Sequence, residues 1–255
     1  MFLLIYLFLN LSINPKSFIF NITYKSYPSM KIISVPILCL LILASLPSVE
    51  AVLGVDVSQL FSTSTYQCIR SSGYEFAIIR GYCSYGGPDA NANQGLRNAR
   101  AAGLITDIYM FPCRGKSAQA QVNDMFANID SSLYGMAWID VETNPSPGCS
   151  WSGYDANSNC QFVTDLINGI KARGKGVGIY ASRYMWQSIF GSLSACPSVA
   201  SQQLWYAHYD GWASLDDFQP FGGWGHANIK QFQGDTTLCG AGVDKDFYPW
   251  FDRLS

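Results

Sequence analysis

The chain has 255 residues, 49% of them hydrophobic and only 13% charged, with 16 basic against 18 acidic side chains. That apolar content supports a folded core. A formal charge of −2 lacks the basic footprint that nucleic-acid binding requires, and it gives no electrostatic pull toward anionic membrane surfaces.

The first fifth of the chain does not read as fold material. Residues 31–51 have a basic start (Lys31), an apolar stretch from Ile37 to Leu46 and small residues Val49 and Ala51 at cleavage-site spacing, the pattern of a secretory signal peptide cut after Ala51. Met30 stands where an initiator would. Residues 1–29 then read as a longer leader or an extension of the gene model. The apolar stretch is too short for a comfortable membrane span. The expected domain is therefore 52–255. Without Lys16, Lys25, Lys31 and Glu50 it has 204 residues with 13 basic and 17 acidic side chains, a net −4.

From residue 52 onward strand and helix alternate. Val52–Val57 is an apolar strand with Asp56 near its end. A polar, helix-compatible stretch from Ser58 to Ser72 follows, closed by Gly73. Phe76–Arg80 is a second strand, and 90–102 a helix stopped by Gly103. Leu104–Phe111 is a third strand, broken by Pro112. Val122, Met125, Phe126 and Ile129 recur at helical spacing in 117–130. Residues 135–142 form the fourth strand, 154–173 a helix and Val177–Tyr180 the fifth strand. After a short helix at Tyr184–Phe190, three strand-like runs (204–209, 228–232 and 242–248) have no helices between them. Five β/α units followed by three strands predict a single α/β domain, an irregular TIM-like barrel whose first strands are parallel.

In such a barrel the functional face lies at the C-terminal ends of the strands. Asp140 and Glu142 end the fourth strand. Being two residues apart on a strand, they share a face with Cβ atoms roughly 6–7 Å apart. That separation suits two carboxyl groups flanking one glycosidic bond, which stand roughly 5–9.5 Å apart in glycosidases. Asp56 ends the first strand, and Asp244 and Asp246 lie on the last. Barrel closure brings Asp56 and Asp244 to one rim. Four acids at one mouth, Asp56, Asp140, Glu142 and Asp244, point to function rather than stability, because buried acids are costly unless used.

Taken together, Gly54-Val55-Asp56-Val57-Ser58, Trp138-Ile139-Asp140-Val141-Glu142 and Val243-Asp244-Lys245-Asp246-Phe247 resemble glycoside hydrolase family 25, in particular the lysozymes of nematodes and amoebae. The resemblance implies a secreted enzyme that hydrolyses the β-1,4 bond between N-acetylmuramic acid and N-acetylglucosamine in bacterial peptidoglycan, with net retention, for defence or digestion. It assigns Glu142 as general acid. Asp140 becomes either the nucleophile or the group that orients the substrate's own acetamido oxygen. Asp56 and Asp244 become sugar-binding, charge-tuning groups. Many relatives have histidine where this chain has Met110.

Among the aromatics expected near the rim, Tyr109, Tyr180 and Trp205 are the substrate-binding candidates. Tyr82, Tyr209 and Trp212 rank behind them, and Trp138 reads as packing. Arg80, at the end of the second strand, ranks below the acids. His208 and His226 are the only histidines and give no metal set, and no cofactor motif is present. The protein is expected to be a monomer with no stable membrane association.

Seven cysteines follow the leader, so one is expected to be free and the rest paired, as befits a secreted chain. Cys149–Cys160 closes a local loop, and Cys83–Cys113 would join parallel neighbours. Two other functions compete. A chitinase-like hydrolase also ends its fourth strand in Asp-x-Glu, but usually after a longer run of alternating acids, absent here because Ala137, Trp138 and Ile139 precede Asp140. A non-catalytic peptidoglycan-binding or regulatory protein has no need to keep the acids.

Overall fold

In a computed structural model, residues 51–249 are described; the leader reading lies outside them. The strands are β1 (Val52–Val57), β2 (Tyr74–Cys83), β3 (Gly87–Pro88), β4 (Ile105–Met110), β5 (Met136–Asp140), β6 (Gly176–Ala181), β7 (Gln203–Ala207), β8 (Ile229–Leu238) and β9 (Ala241–Tyr248). The helices among the described residues are α1 (Thr63–Ser71), α2 (Ala92–Ala101), α3 (Ala118–Asn128), α4 (Ala156–Lys171) and α5 (Arg183–Phe190).

The sheet runs β1-β9-β8-β7-β6-β5-β4-β2, and β1 pairs with β2 to close an eight-stranded barrel; β3 is a two-residue appendage on β2. This is the irregular α/β barrel expected. Every neighbouring pair from β1 through β2, β4, β5, β6 and β7 to β8 is parallel. Strand β9 runs antiparallel to both β8 and β1. The cause is local: only Cys239 and Gly240 separate β8 from β9, both at positive φ (55° and 75°). A two-residue turn of this kind can join only antiparallel strands. The first helix begins later than expected, because the Ser62 hydroxyl accepts the Thr65 N–H and caps it there.

Alternation along the strands sorts the side chains into two cores. Val55, Ala77, Ile79, Ile108, Ile139, Ile179 and Leu204 point outward against the apolar faces of the helices, including Leu96, Val122, Val163 and Leu166. Val52, Phe76, Ile78, Trp138, Tyr180, Trp205 and Ile229 fill the barrel interior. Trp138 is a packing residue, as expected. Its ring meets Trp205 edge-on at 5.9 Å, and its indole N–H donates to Asp107 (3.1 Å). Interior glycines make the room: a Cβ on Gly54 would lie 2.1 Å from Phe76, and one on Gly178 would lie 2.3 Å from Trp138.

The disulfides differ from both pairings expected. The bonds are Cys68–Cys239, Cys113–Cys149 and Cys160–Cys196, and Cys83 is free and buried. The β2–β4 register shifts between Arg80 and Tyr82, which sets Tyr82 opposite Met110, and Cys113 lies past the end of this pairing. The segment carrying Cys113 turns to the loop after β5, where Arg114 N–H donates to Cys149 C=O (3.2 Å). Cys160, on α4, faces the segment beyond α5 instead.

Trp138 is wedged between Trp205 and Asp107, so Gly178→Ala should lose about 1–3 kcal/mol in urea unfolding, the usual cost of overpacking. Gly225→Ala, with open space around it, should stay within about 0.5 kcal/mol.

Candidate active site

The interior positions at the strand ends build the mouth of the barrel. On β1 the inward series is Val52, Gly54, Asp56, and on β5 it is Trp138, Asp140 and, one step past the strand, Glu142. Strand β9 descends beside β1 with Asp56 paired directly to Asp244. Asp140 is paired to Tyr180 on β6, and Tyr180 to Trp205 on β7. Together these side chains line a cavity of about 270 Å³. All seven residues singled out from the sequence, Asp56, Tyr109, Asp140, Glu142, Tyr180, Trp205 and Asp244, border it. Arg80 and Tyr209 border it as well.

Tyr82 and Trp212 do not. By alternation Tyr82 should face inward like Arg80, but the register shift between them reverses its face. It is buried outside the barrel wall, and its hydroxyl donates to Asp124 (3.2 Å). Trp212 is exposed on the β7–β8 connection.

Sequence reasoning missed Gln231 on β8. It is buried and organises the mouth. Its Nε2 donates to Asp56 (2.6 Å) and more weakly to Asp244 (3.4 Å). Its Oε1 accepts from the hydroxyls of Tyr180 (2.6 Å) and Tyr209 (2.8 Å). Alternation on β8 places Gln231 two positions after the interior residue Ile229, which was the available signal. Asp246, one interior step below Asp244, is fully buried and accepts the Trp205 indole N–H (2.8 Å). It belongs to the floor rather than to the cavity lining.

Burial and mutual repulsion raise the pKa of the whole cluster. Burial and then Asp244 push Asp56 up to about 8. Glu142 is pushed up to about 7 by the same two causes in the same order. Asp140 is held well above the usual carboxylate range by burial, then Glu142 and Asp56. Asp244 is raised by burial and Asp235. Asp140 Oδ1 is buried and accepts no hydrogen bond among the described residues. The cluster therefore retains protons at neutral pH and combines a proton donor with a buried carboxyl oxygen that has no partner among the described residues.

The segment carrying Glu142 beyond the strand is held from several sides. Trp151 Nε1 donates to the Glu142 carbonyl (2.7 Å). Buried Asn144 donates to the carbonyls of Ser84 (2.8 Å) and Pro112 (3.0 Å). The Cys113–Cys149 bond closes the far end of this loop. On the other flank His208, Asp210 and Asp217 cluster closely enough to match a metal-binding set in composition. The fully buried Lys230 ammonium instead sits 2.7 Å from both carboxylates and fills the role of the cation. His208 thus has a structural part, as expected, anchoring the connection that bears Tyr209.

The raised acids set the sign of the pH dependence of stability. Below about pH 4.5 Glu142 is neutral in both folded and unfolded chains. Between there and about pH 7 the unfolded chain loses this proton first, so rising pH favours unfolding. Glu142→Gln should therefore match the parent in thermal unfolding at pH 4 and exceed it at pH 8 by a few degrees, about 1 kcal/mol.

Comparison with known proteins agrees with this geometry. A family model described as lysozyme-like protein 1 matches residues 48–232. A probable GH family 25 lysozyme 2 from Dictyostelium discoideum is 39% identical over 210 residues, covering 81% of this chain and 95% of its own. Lysozyme-like protein 5 from Caenorhabditis elegans is 36% identical over 203 residues, covering 77% of this chain and 91% of its own. The solved structure of a muramidase from Trichobolus zukalii aligns with a TM-score of 0.64 at 25% identity, over 80% of this chain and 96% of that one.

Proposed function

The chain belongs to the glycoside hydrolase family 25 lysozymes, and from that premise we propose that it is a secreted N-acetylmuramidase. Its substrate is the β-1,4 bond between N-acetylmuramic acid and N-acetylglucosamine in bacterial peptidoglycan, and its role is defence against bacteria or their digestion. The observation that carries this reading is the convergence of Asp140, Glu142, Asp56 and Asp244 on one cavity beside Tyr109, Tyr180 and Trp205.

The roles follow from the environments. Glu142, partly exposed and raised to about 7, holds a proton in mildly acidic solution and delivers it to the leaving glycosidic oxygen. Asp140 lies deeper. Positive charge developing at the anomeric carbon favours its ionised form, which its neighbours disfavour in the free enzyme. That carboxylate either bonds to the carbon or orients the substrate's acetamido oxygen, and both routes retain configuration. Asp56 and Asp244, held by Gln231, bind sugar hydroxyls, and the charge of Asp244 helps burial to keep Glu142 protonated. Tyr109, Tyr180 and Trp205 form the apolar wall. Tyr180 and Trp205 stack edge to face at 4.6 Å between ring centres.

Secretion after removal of a leader ending near Ala51 accords with three disulfides in the domain, bonds that persist in oxidising compartments. Among the described residues, no helix is long and apolar enough to cross a membrane.

The test is release of reducing ends from purified peptidoglycan. Glu142→Gln and Asp140→Asn should each lower turnover by about 10²–10⁴-fold, the usual contribution of a positioned acid or base. Turnover by the parent should fall as pH rises through about 7, where Glu142 loses its proton. Release from chitin equal to that from peptidoglycan would restore the chitinase-like reading. Peptidoglycan binding without any release would restore the non-catalytic one.

A further inference from the structure

The cavity is lined by carboxyl groups, hydroxyls, aromatic rings and the Gln231 amide, with one cationic exception. Arg80, at the end of the inward series of β2, is the only cationic side chain among the described residues that borders it. Its Cα is paired with that of Tyr109, so the guanidinium and the acids share one rim. The side chain is held rigidly: Nε donates to Asp89 (2.8 Å) and Nη2 to the Ser58 carbonyl (2.8 Å). Neither bond uses Nη1, and the side chain is 32% exposed while its partner Asp89 is 9% exposed. The residue is thus fixed from behind and open in front.

The charge of Arg80 does not serve the catalytic acids. Its ion pair goes to Asp89, on the far side of the β2–β3 turn. Asp56, Asp140, Glu142 and Asp244 all stay raised in its presence. An arginine beside an acid-lined cavity that leaves those acids uncompensated is free to meet an anion brought in by the ligand. A glycan of N-acetylglucosamine alone carries no charge and has no use for such a group. A muramyl residue differs by a 3-O-lactyl arm, which ends in a carboxylate or carries a peptide that does. Entering a mouth of carboxyl groups, that anion is repelled unless a cation is placed to receive it.

We propose that Arg80 is a specificity residue of this site, and that it binds the carboxylate borne by the 3-O-lactyl arm of the muramyl residue, whether the lactyl carboxylate itself or one on the attached peptide. The assignment rests on the muramidase reading above. Asp89 and the Ser58 carbonyl are its positioning partners: they hold the guanidinium through Nε and Nη2 and leave Nη1 for the ligand. Chemically, Arg80 separates peptidoglycan from chitin, whose backbone is otherwise the same.

Binding is measured by titration calorimetry in the Glu142→Gln background, so that no ligand is consumed. The ligands are peptide-free muramyl glycan strands, peptide-bearing strands and chitooligosaccharides of matched length. Arg80→Gln should weaken muramyl binding about 10- to 100-fold, the range for loss of a hydrogen bond to a charged group. The loss for chitooligosaccharides should be smaller by at least about tenfold. Loss on the peptide-free strands identifies the lactyl carboxylate, and loss confined to the peptide-bearing strands identifies a peptide carboxylate. Arg80→Lys should recover part of the binding and keep its dependence on salt.

Equal losses on all three ligands would overturn the proposal and leave Arg80 a structural clamp, as would unchanged binding to both muramyl ligands. If Arg80→Gln fails to fold, the parent chain supplies the same answer: strands with their carboxylates converted to carboxamides must bind more weakly than the originals, and equal affinity overturns the assignment. Failure of the Arg80-bearing chain to bind any muramyl strand while it binds chitooligosaccharides strikes the muramidase reading itself.

Discussion

The structure depends on one antiparallel strand. Strand β9 closes the barrel by slotting between β8 and β1, and its direction places Asp244 opposite Asp56 at the rim and Asp246 opposite Gly54 below. A parallel eighth strand in this position would present its other end to the mouth and break the pairing that sets Asp244 beside Asp56. The direction follows from the two-residue turn at Cys239 and Gly240, which leaves no length for a crossover. The same turn is tied back to α1 by Cys68–Cys239, spanning 171 residues of sequence. A covalent link of that span restricts the unfolded chain strongly, so it favours the closed barrel over open alternatives.

Closure sets the electrostatic problem that the rest of the mouth manages. Acids brought together in a largely buried space repel one another and lose hydration, which costs stability and raises their affinity for protons. A hydrolase uses the second consequence and tolerates the first. Gln231 moderates the tension: one amide group donates to Asp56 and Asp244 while its oxygen gathers the hydroxyls of Tyr180 and Tyr209. An amide can do this without adding charge, where an arginine or lysine would have neutralised the cluster. The basic groups nearest the rim do not neutralise these acids: Arg80 pairs with Asp89, and Lys230 with Asp210 and Asp217. The aromatic floor below, Trp138, Trp205 and Phe76, keeps water out of the barrel and is made possible by the missing side chains of Gly54 and Gly178.

Much of this was legible in the chain itself, because two periodicities carry most of the information. Alternation of strands and helices, with glycines ending the helices, specified five β/α units. A period of two along each strand put Asp140 and Glu142 on one face and aligned Tyr109, Tyr180 and Trp205 with them. Local capping was less legible: the first helix waits for Ser62, and several polar residues before it were equally able to begin a helix. Tyr82 shows where periodicity fails. A single slip in the β2–β4 register turns it out of the barrel, and nothing in the residues around it announces the slip.

The sequence by itself determined the strand count, the inward-facing acids and their shared rim, since these follow from local patterns and from the requirement that a barrel close. Only the tertiary structure decided the disulfide partners, the part played by Gln231 and the commitment of Lys230. Each of these joins residues distant in sequence, and each depends on register, which no local pattern specifies when neighbouring alternatives bury the same apolar faces. Cys113 meets Cys149 rather than Cys83, and Cys160 meets Cys196 rather than Cys149, because loop paths over the barrel rim, not sequence spacing, bring sulfur atoms together.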